Sequence, residues 1–254
     1  MRRYGQHFLK DPQIIERIME ASGVSAADAV LEIGPGQGVL TRALAGRVKK
    51  ILAVEIDRRL FAGLSEAGLP SNVETRLGDI LAVKNADISA TLGGSYHLVA
   101  NLPYEITSAT LKKFLTESPK PESITMMIQK EAGERIIAKD GKENRLSLFC
   151  RYHAEAKLMF MVPAGAFSPP PKVTSCVIRL VPRPKPLLVR PDENRLFNLI
   201  KAGFANPRKS LKNTLGIIFG KNTENALVSA KIVPTSRPET VSLEQWMTLA
   251  SQVW

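Results

Sequence analysis

Cysteine, histidine and tryptophan are scarce in this chain. Its 254 residues include two cysteines, three histidines and two tryptophans, and aromatic residues amount to 6%. Cys150 and Cys176 are too few for a disulfide framework and stand at no zinc-ligand spacing, so both are expected as buried, small apolar side chains. His7, His97 and His153 lie far apart, with no thiol or carboxylate at ligand spacing, and no metal is expected. No apolar run approaches the roughly 18 residues a membrane span needs. The basic start, Met1 to Lys10, meets Asp11 and Pro12 where a secretory leader would carry an apolar run. No leader and no membrane association are expected, and the protein is placed in the cytoplasm.

Positive charge, by contrast, is plentiful. The 35 Lys and Arg outnumber the 24 Asp and Glu, for a net +11. The pI of about 9.8 exceeds the value near 9 at which a nucleic-acid footprint is worth proposing. Net charge also serves solubility, so charge alone leaves a polyanionic partner and a merely well-solvated surface both open. Hydrophobic residues at 44% and charged residues at 23% are ordinary for a globular protein, which excludes disordered, collagen-like and disulfide-knot classes.

At about 150 residues per domain the length fits one large domain with one small one. Eight of the 17 prolines fall between Pro163 and Pro191, and Pro182-Arg183-Pro184-Lys185-Pro186 can continue neither a helix nor a central strand. The division is therefore placed at residues 1–185 and 186–254, with both parts net basic. Asp11-Pro12 reads as an N-cap with proline at the first helical position, ahead of Ile14, Ile15, Ile18 and Met19 at helical spacing. Strands at 29–33, 51–55 and 73–77 alternate with helices at 39–47 and 58–67, the pattern of parallel βαβ units. Further strands are read at 97–101, 123–129, 156–162 and 174–181. The last two are joined by a Pro/Gly loop and are expected as an antiparallel pair at one sheet edge. The expected class is thus α/β, with seven strands, followed by a small all-helical domain with helices at 195–205, 210–219, 224–230 and 243–253.

Glu32-Ile33-Gly34-Pro35-Gly36-Gln37-Gly38 lies between the first strand and its crossover helix. Glycine is needed where φ is positive or where a ligand must lie against backbone. A dinucleotide fingerprint would place its third glycine at Val39, so a nicotinamide or flavin cofactor is disfavoured. A tight turn without a ligand is the alternative reading of the loop. Glu55 ends the next strand at the distance where an acid accepts from ribose hydroxyls, and Asp79 follows the third strand. Together the three strand ends describe an adenosine-type ligand across the carboxyl edge of the sheet.

The fourth strand ends at Asn101-Leu102-Pro103-Tyr104. An amine nucleophile on a base needs acceptors for its N–H groups, a rigid turn, and a flat stacking surface. Asn101 and the Leu102 carbonyl can accept, Pro103 fixes the turn, and Tyr104 can stack. A β-turn with a core tyrosine is the plain alternative.

With these motifs in hand, the chain resembles the S-adenosylmethionine-dependent ribosomal RNA adenine-N6 dimethyltransferases. The resemblance runs through Gly5-Gln6-His7-Phe8-Leu9, Glu32–Gly38, Glu55, Gly78-Asp79, Asn101–Tyr104 and Gln129-Lys130-Glu131. It continues through Phe167-Ser168-Pro169-Pro170-Pro171-Lys172-Val173 and Phe204–Asn213. The proline-rich segment and the tail look more like the branch that dimethylates two adjacent adenosines in the 3′-terminal hairpin loop of small-subunit (16S) rRNA. The macrolide-resistance branch, which modifies large-subunit (23S) rRNA, stays open, as does a ribosome-assembly factor in which methylation is secondary.

The resemblance implies a Rossmann-like class I methyltransferase sheet, S-adenosylmethionine as cofactor, and the small ribosomal subunit as partner of a monomeric, metal-free enzyme with a role in subunit biogenesis. It implies that His7 and Leu9 close over the methionine end of the cofactor and that Gly34 and Gly36 lie along it. Glu55 would bind the ribose, Asp79 the adenine amino group, and Asn101 would sit between cofactor and target. Tyr104 and Phe167 would sandwich the flipped adenine, while Arg208, Lys209 and Lys212 are the candidate RNA contacts. The sequence departs from the family pattern at His7, Ile80 and Pro207. The last removes a positive charge and a backbone N–H from the tail segment.

Overall fold

The computed structural model describes residues 7–185, 187 and 192–252, and the backbone alone at Tyr104 and Asp192. From the N-terminus the elements run β1 (Phe8–Leu9), α1 (Pro12–Ser22), β2 (Ala29–Ile33), α2 (Val39–Ala45), β3 (Lys50–Glu55) and α3 (Arg58–Glu66). They continue with β4 (Val73–Leu77), α4 (Asn85–Leu92), β5 (His97–Asn101), α5 (Tyr104–Thr116), β6 (Ile124–Gln129), α6 (Lys130–Ile137) and α7 (Arg145–His153). After β7 (Ala154–Val162), β8 (Phe167–Ser168) and β9 (Ser175–Pro182) come α8 (Asp192–Gly203), α9 (Leu211–Phe219), α10 (Thr223–Ser229) and α11 (Leu243–Ala250).

The chain forms two compact units, one of Met1–Gly133 with Glu155–Pro182, the other of Glu134–Ala154 with Arg183–Trp254. In the first, seven strands lie in the order β4-β3-β2-β5-β6-β9-β7. β2 pairs in parallel with β3 on one side and β5 on the other, Leu31 standing beside both Leu52 and Leu98. All five residues of β2 are buried, as expected of a parallel strand covered by helices on both faces. Each such apolar side chain contributes about 1.5–3 kcal/mol by leaving water. The antiparallel edge that the sequence pattern predicts is present, and β9 is the strand that pairs with β6, in register from Ile124↔Leu180 to Gln129↔Ser175. It thus lies between β6 and the earlier β7, an inversion that chain order does not reveal.

Helix α1 begins as predicted. Asp11 accepts from the backbone N–H groups of Gln13 and Ile14, Pro12 occupies the first turn, and Gly23 ends the helix in the left-handed region. Ile14, Ile18 and Met19 face the core beneath it. Both cysteines are free and buried, and burial pushes the Cys150 thiol up to about 12.

In the second unit a separate core gathers Leu148, Tyr152, Leu196, Leu199, Leu211, Leu215, Leu227 and Trp246. Its second stretch begins at Arg183, whereas the division predicted from the proline run lies at 185/186 with Pro186 outside the described residues. The difference of substance is Glu134–Ala154, which joins this unit because α7 turns Leu148 and Tyr152 into the same core as α8, α9 and α11. Helix α11 carries the predicted capping box, Ser242 and Gln245 each accepting from the other's backbone N–H. The described part of that helix ends at Ala250, and Val253 lies outside the described residues. No helix among the described residues is long and apolar enough to cross a membrane.

Candidate functional site

Parallel strands bring their carboxyl ends to one edge, and the chain changes direction across the sheet between β2 and β5. Such a switch point leaves a crevice outside the strand ends. The loop after β2 enters it with φ of 68° at Gly34, 59° at Gly36 and 75° at Gly38. At Gly38 a Cβ would lie 2.7 Å from Leu64 Cδ2 and 3.0 Å from Arg42 Nη1, so both conformation and space demand glycine. Arg42 reaches back from α2 and donates from Nη1 to the carbonyls of Gln37 at 2.9 Å and Gly38 at 3.1 Å. Gly34 donates to Val54 O at 2.9 Å, which holds the start of the loop over β3.

Glu55 closes β3, and its side chain is built into the loop. Oε2 accepts from Gly36 N at 3.1 Å and Oε1 from Asp57 N at 2.9 Å. The residue is 4% exposed, yet a carboxylate has about four acceptor sites, so two backbone donors leave room for hydroxyl donors. On the neighbouring strand Glu32 is 1% exposed, and its Oε2 has no hydrogen-bond partner. Burial raises the Glu32 carboxyl to about 8; the nearby Thr41 hydroxyl lowers it in part, and the Glu55 charge pushes it further up. Glu32 is therefore a buried acid with one oxygen lacking a donor, two residues before the glycine loop.

Asp79 is exposed in the loop after β4, where Oδ1 accepts from Leu81 N at 2.9 Å. Between it and Glu55, Gly78 N donates to Glu55 O at 2.8 Å and ties the two strand ends together. Ile56 is 62% exposed directly after Glu55. It belongs to none of the motifs singled out in the sequence, and a lone exposed apolar side chain gives no signal by itself.

Asn101 ends β5, half-buried, beside Met127 of β6. Its side chain has no hydrogen-bond partner among the described residues. A Cβ built at Gly34 would lie 4.0 Å from the Asn101 carbonyl oxygen, so the target motif and the glycine loop adjoin. Leu102 is buried and donates to Met127 O at 3.1 Å, fixing the turn. Pro103 is the N-cap of α5, and its carbonyl accepts from Thr107 Oγ1 at 3.1 Å. Tyr104 opens α5, and its side chain lies outside the described residues.

Two short strands that the sequence reading did not mark, β1 and β8, form an antiparallel ribbon, with Leu9 opposite Phe167. His7 Nδ1 donates to Pro169 O at 2.7 Å. Leu9 and Phe167 lie in the core cluster of the first unit. Phe167 is 3% exposed and so offers no open ring face. Gln129, Lys130 and Glu131 are exposed at the end of β6 and the start of α6. In the second unit Arg208 and Lys209 are exposed, while Lys212 is engaged by Glu224 in an ion pair.

The profile of the ribosomal RNA adenine dimethylase family matches residues 1–253. The chain is 40% identical over 252 residues to the ribosomal RNA small subunit methyltransferase A of Dehalococcoides mccartyi, covering 96% of this chain and 85% of that protein. It is 39% identical over 263 residues to the protein of that name from a Nostoc species, covering 98% and 96%. Among solved structures, the 23S rRNA methyltransferase ErmE superposes with a TM-score of 0.79 at 30% identity, over 97% of this chain and 99% of that one. A dimethyladenosine transferase from Plasmodium falciparum gives 0.77 at 25% identity, over 96% of each.

Proposed function

The chain belongs to the ribosomal RNA adenine dimethylase family, and from that membership we propose that it dimethylates N6 of two adjacent adenosines in the 3′-terminal hairpin loop of 16S rRNA. The observation that carries this reading is the adjacency of the end of β5, at the Asn101 carbonyl, and the glycine loop at the switch point of the sheet. The small-subunit assignment follows the full-length relatives at about 40% identity rather than the 23S enzyme at 30%. On this reading the chain works as a monomer in the cytoplasm, in the biogenesis of the small subunit.

The residues fit S-adenosylmethionine. Gly34 and Gly36 admit a ligand against backbone, Glu55 keeps acceptor sites for ribose hydroxyls, and the exposed Asp79 is the acceptor assigned here to the adenine amino group. The orphaned Glu32 oxygen calls for a cationic donor, as the α-ammonium of the methionine end would supply. His7 and Leu9 lie on the ribbon at the same edge. When bound, this cofactor supplies an electrophilic methyl group on a sulfonium.

The protein's own work is to hold the nucleophile. The amino lone pair of adenine is delocalised into the ring, and acceptors on both N–H groups favour a pyramidal nitrogen with its lone pair directed outward. On this reading Asn101 Oδ1 and the Leu102 carbonyl accept them. Tyr104 provides the stacking surface that offsets the few kcal/mol of unstacking a flipped base. Phe167, covered on the ribbon, presents no ring face for the second side of the base in this structure. The methylated nitrogen is acidic and loses its proton to water, so no strong base is required of the chain. Positioning of this kind can lower a barrier by about 7–11 kcal/mol. Arg208 and Lys209 bind phosphate, with shape and backbone charge providing most of the recognition.

The test incubates the protein and S-adenosylmethionine with unmethylated small and large subunits in separate tubes, then digests the RNA for mass spectrometry. N6,N6-dimethyladenosine from the small subunit alone supports the assignment. Product from the large subunit alone moves the chain to the 23S branch.

A further inference from the structure

Strand β6 continues past the target motif. In the parallel register of β5 and β6, Asn101 stands beside Met127. Side chains alternate along a strand, so Gln129 is the next residue of β6 on the same face. Val99, Met127 and Val177, from three neighbouring strands, lie in one core cluster with Ile14 and Ile18, which makes this the face toward α1. Met127 is buried, and two residues later Gln129 is exposed. The backbone at Gln129 is still strand, opposite Ser175 of β9. One strand over and two residues on places its Cα about 8 Å from that of Asn101. The Gln129 amide makes no hydrogen bond among the described residues. Beside it, Lys130 N donates to Thr174 O at 3.0 Å and draws the turn before β9 against the end of β6. That turn exposes Lys172 and Val173, a cation for backbone phosphate and an apolar surface for a ring.

The substrate proposed above has two adjacent adenosines, and whichever base is turned into the pocket leaves the other beside it. Single-stranded bases are read by hydrogen bonds on their edges. Glutamine matches adenine, with Oε1 accepting from N6–H and Nε2 donating to N7. Guanine presents the O6 acceptor in place of the N6 amino group and breaks the pair. Glu131 is exposed at the same end of β6, but it lies on α6 and its carboxylate has no donor for N7.

We propose that Gln129 is a specificity-determining residue that reads the adenine adjacent to the one undergoing transfer. The proposal rests on the 16S reading above. A dimethylated neighbour has no N6–H left to donate, so Gln129 favours transfer to the adenosine whose neighbour is still unmodified.

The test measures initial rates of N6,N6-dimethyladenosine formation at each position on unmethylated small subunits, with saturating S-adenosylmethionine. The two positions in the 3′ hairpin carry A-A, G-A or A-G. Gln129 lies to one side of Asn101, so a single neighbour, upstream or downstream, meets it. With the native protein, one of the two replacements should slow transfer at the remaining adenosine by about fivefold or more relative to the same position in A-A. In Gln129→Ala that gap closes, whereas damage to the fold would slow all three substrates alike and leave their ratios standing. Equal rates on the three substrates with the native protein, or a gap that persists in Gln129→Ala, overturns the proposal alone. No transfer to the A-A subunit overturns the 16S reading and the proposal with it.

Discussion

Glu55 Oε2 accepts the backbone N–H of Gly36 at 3.1 Å, so the acid expected at the ribose also holds the glycine loop in shape. Its other oxygen accepts from Asp57 N at 2.9 Å. Replacing Glu55 by Gln keeps the volume but leaves only one acceptor atom for the two donors. Losing a charge-assisted bond costs about 1.5–3 kcal/mol. Glu55→Gln is expected to weaken S-adenosylhomocysteine binding by about 10- to 100-fold in isothermal titration. Unchanged affinity would show that the carboxylate plays no part in ligand binding.

Glu32 makes stability depend on pH. Its carboxyl is held at about 8 in the folded chain against an ordinary 4.5. Below 4.5 both folded and unfolded chains are protonated there, and nothing is lost. Between 4.5 and about 8 the unfolded chain releases the proton and the folded chain keeps it, so stability falls as pH rises through that window. The urea midpoint of the ligand-free protein should fall across this window, and Glu32→Gln should flatten the decline. Equal slopes in the two proteins would place the buried carboxyl outside the folding equilibrium.

Gly38 has no room for a side chain. A Cβ there meets Leu64 and Arg42 at a φ of 75°, and the left-handed conformation alone costs about 1–2 kcal/mol. With the added overpacking, Gly38→Ala should destabilise by at least about 2 kcal/mol in chemical denaturation. Gly63→Ala is the control, since a Cβ there meets nothing within 4 Å. In helix α3 that change should be neutral or stabilise by up to about 1 kcal/mol.

Much of this framework was legible beforehand. The capping of α1 by Asp11, the buried run of β2 and the acid at Glu55 follow from local patterns, and the structure reproduces each. Helices α4 and α5 are hard to read because Asn85–Leu92 has little amphipathic contrast and α5 begins inside a motif that reads as a turn. By contrast, α6 is amphipathic and α7 carries a capping box at Asn144 and Ser147, local signals left unused in reading the sequence. The ribbon escaped notice because two residues carry no periodicity. Its partner strands meet only through the fold. The membership of Glu134–Ala154 in the helical unit rests on contacts of Leu148 and Tyr152 with residues far along the chain.

The tail cations separate by their partners. Arg208 and Lys209 are exposed, whereas Lys212 already pairs with Glu224. Arg208→Ala and Lys209→Ala should each reduce the salt dependence of RNA binding by about 0.7–0.9 in log–log slope. Lys212→Ala should change it less. Filter binding over a range of salt concentrations checks this, and an unchanged slope in both of the first two variants removes the segment from the interface.

The most direct measurement compares the native protein with Asn101→Ala on unmethylated small subunits, reading N6,N6-dimethyladenosine by mass spectrometry and particle binding by co-sedimentation. The account predicts that the variant sediments with the particle as the native protein does while transfer falls by at least about 100-fold, the loss of an acceptor that acts in the transition state. Full transfer by Asn101→Ala would contradict the placement of chemistry at the end of β5.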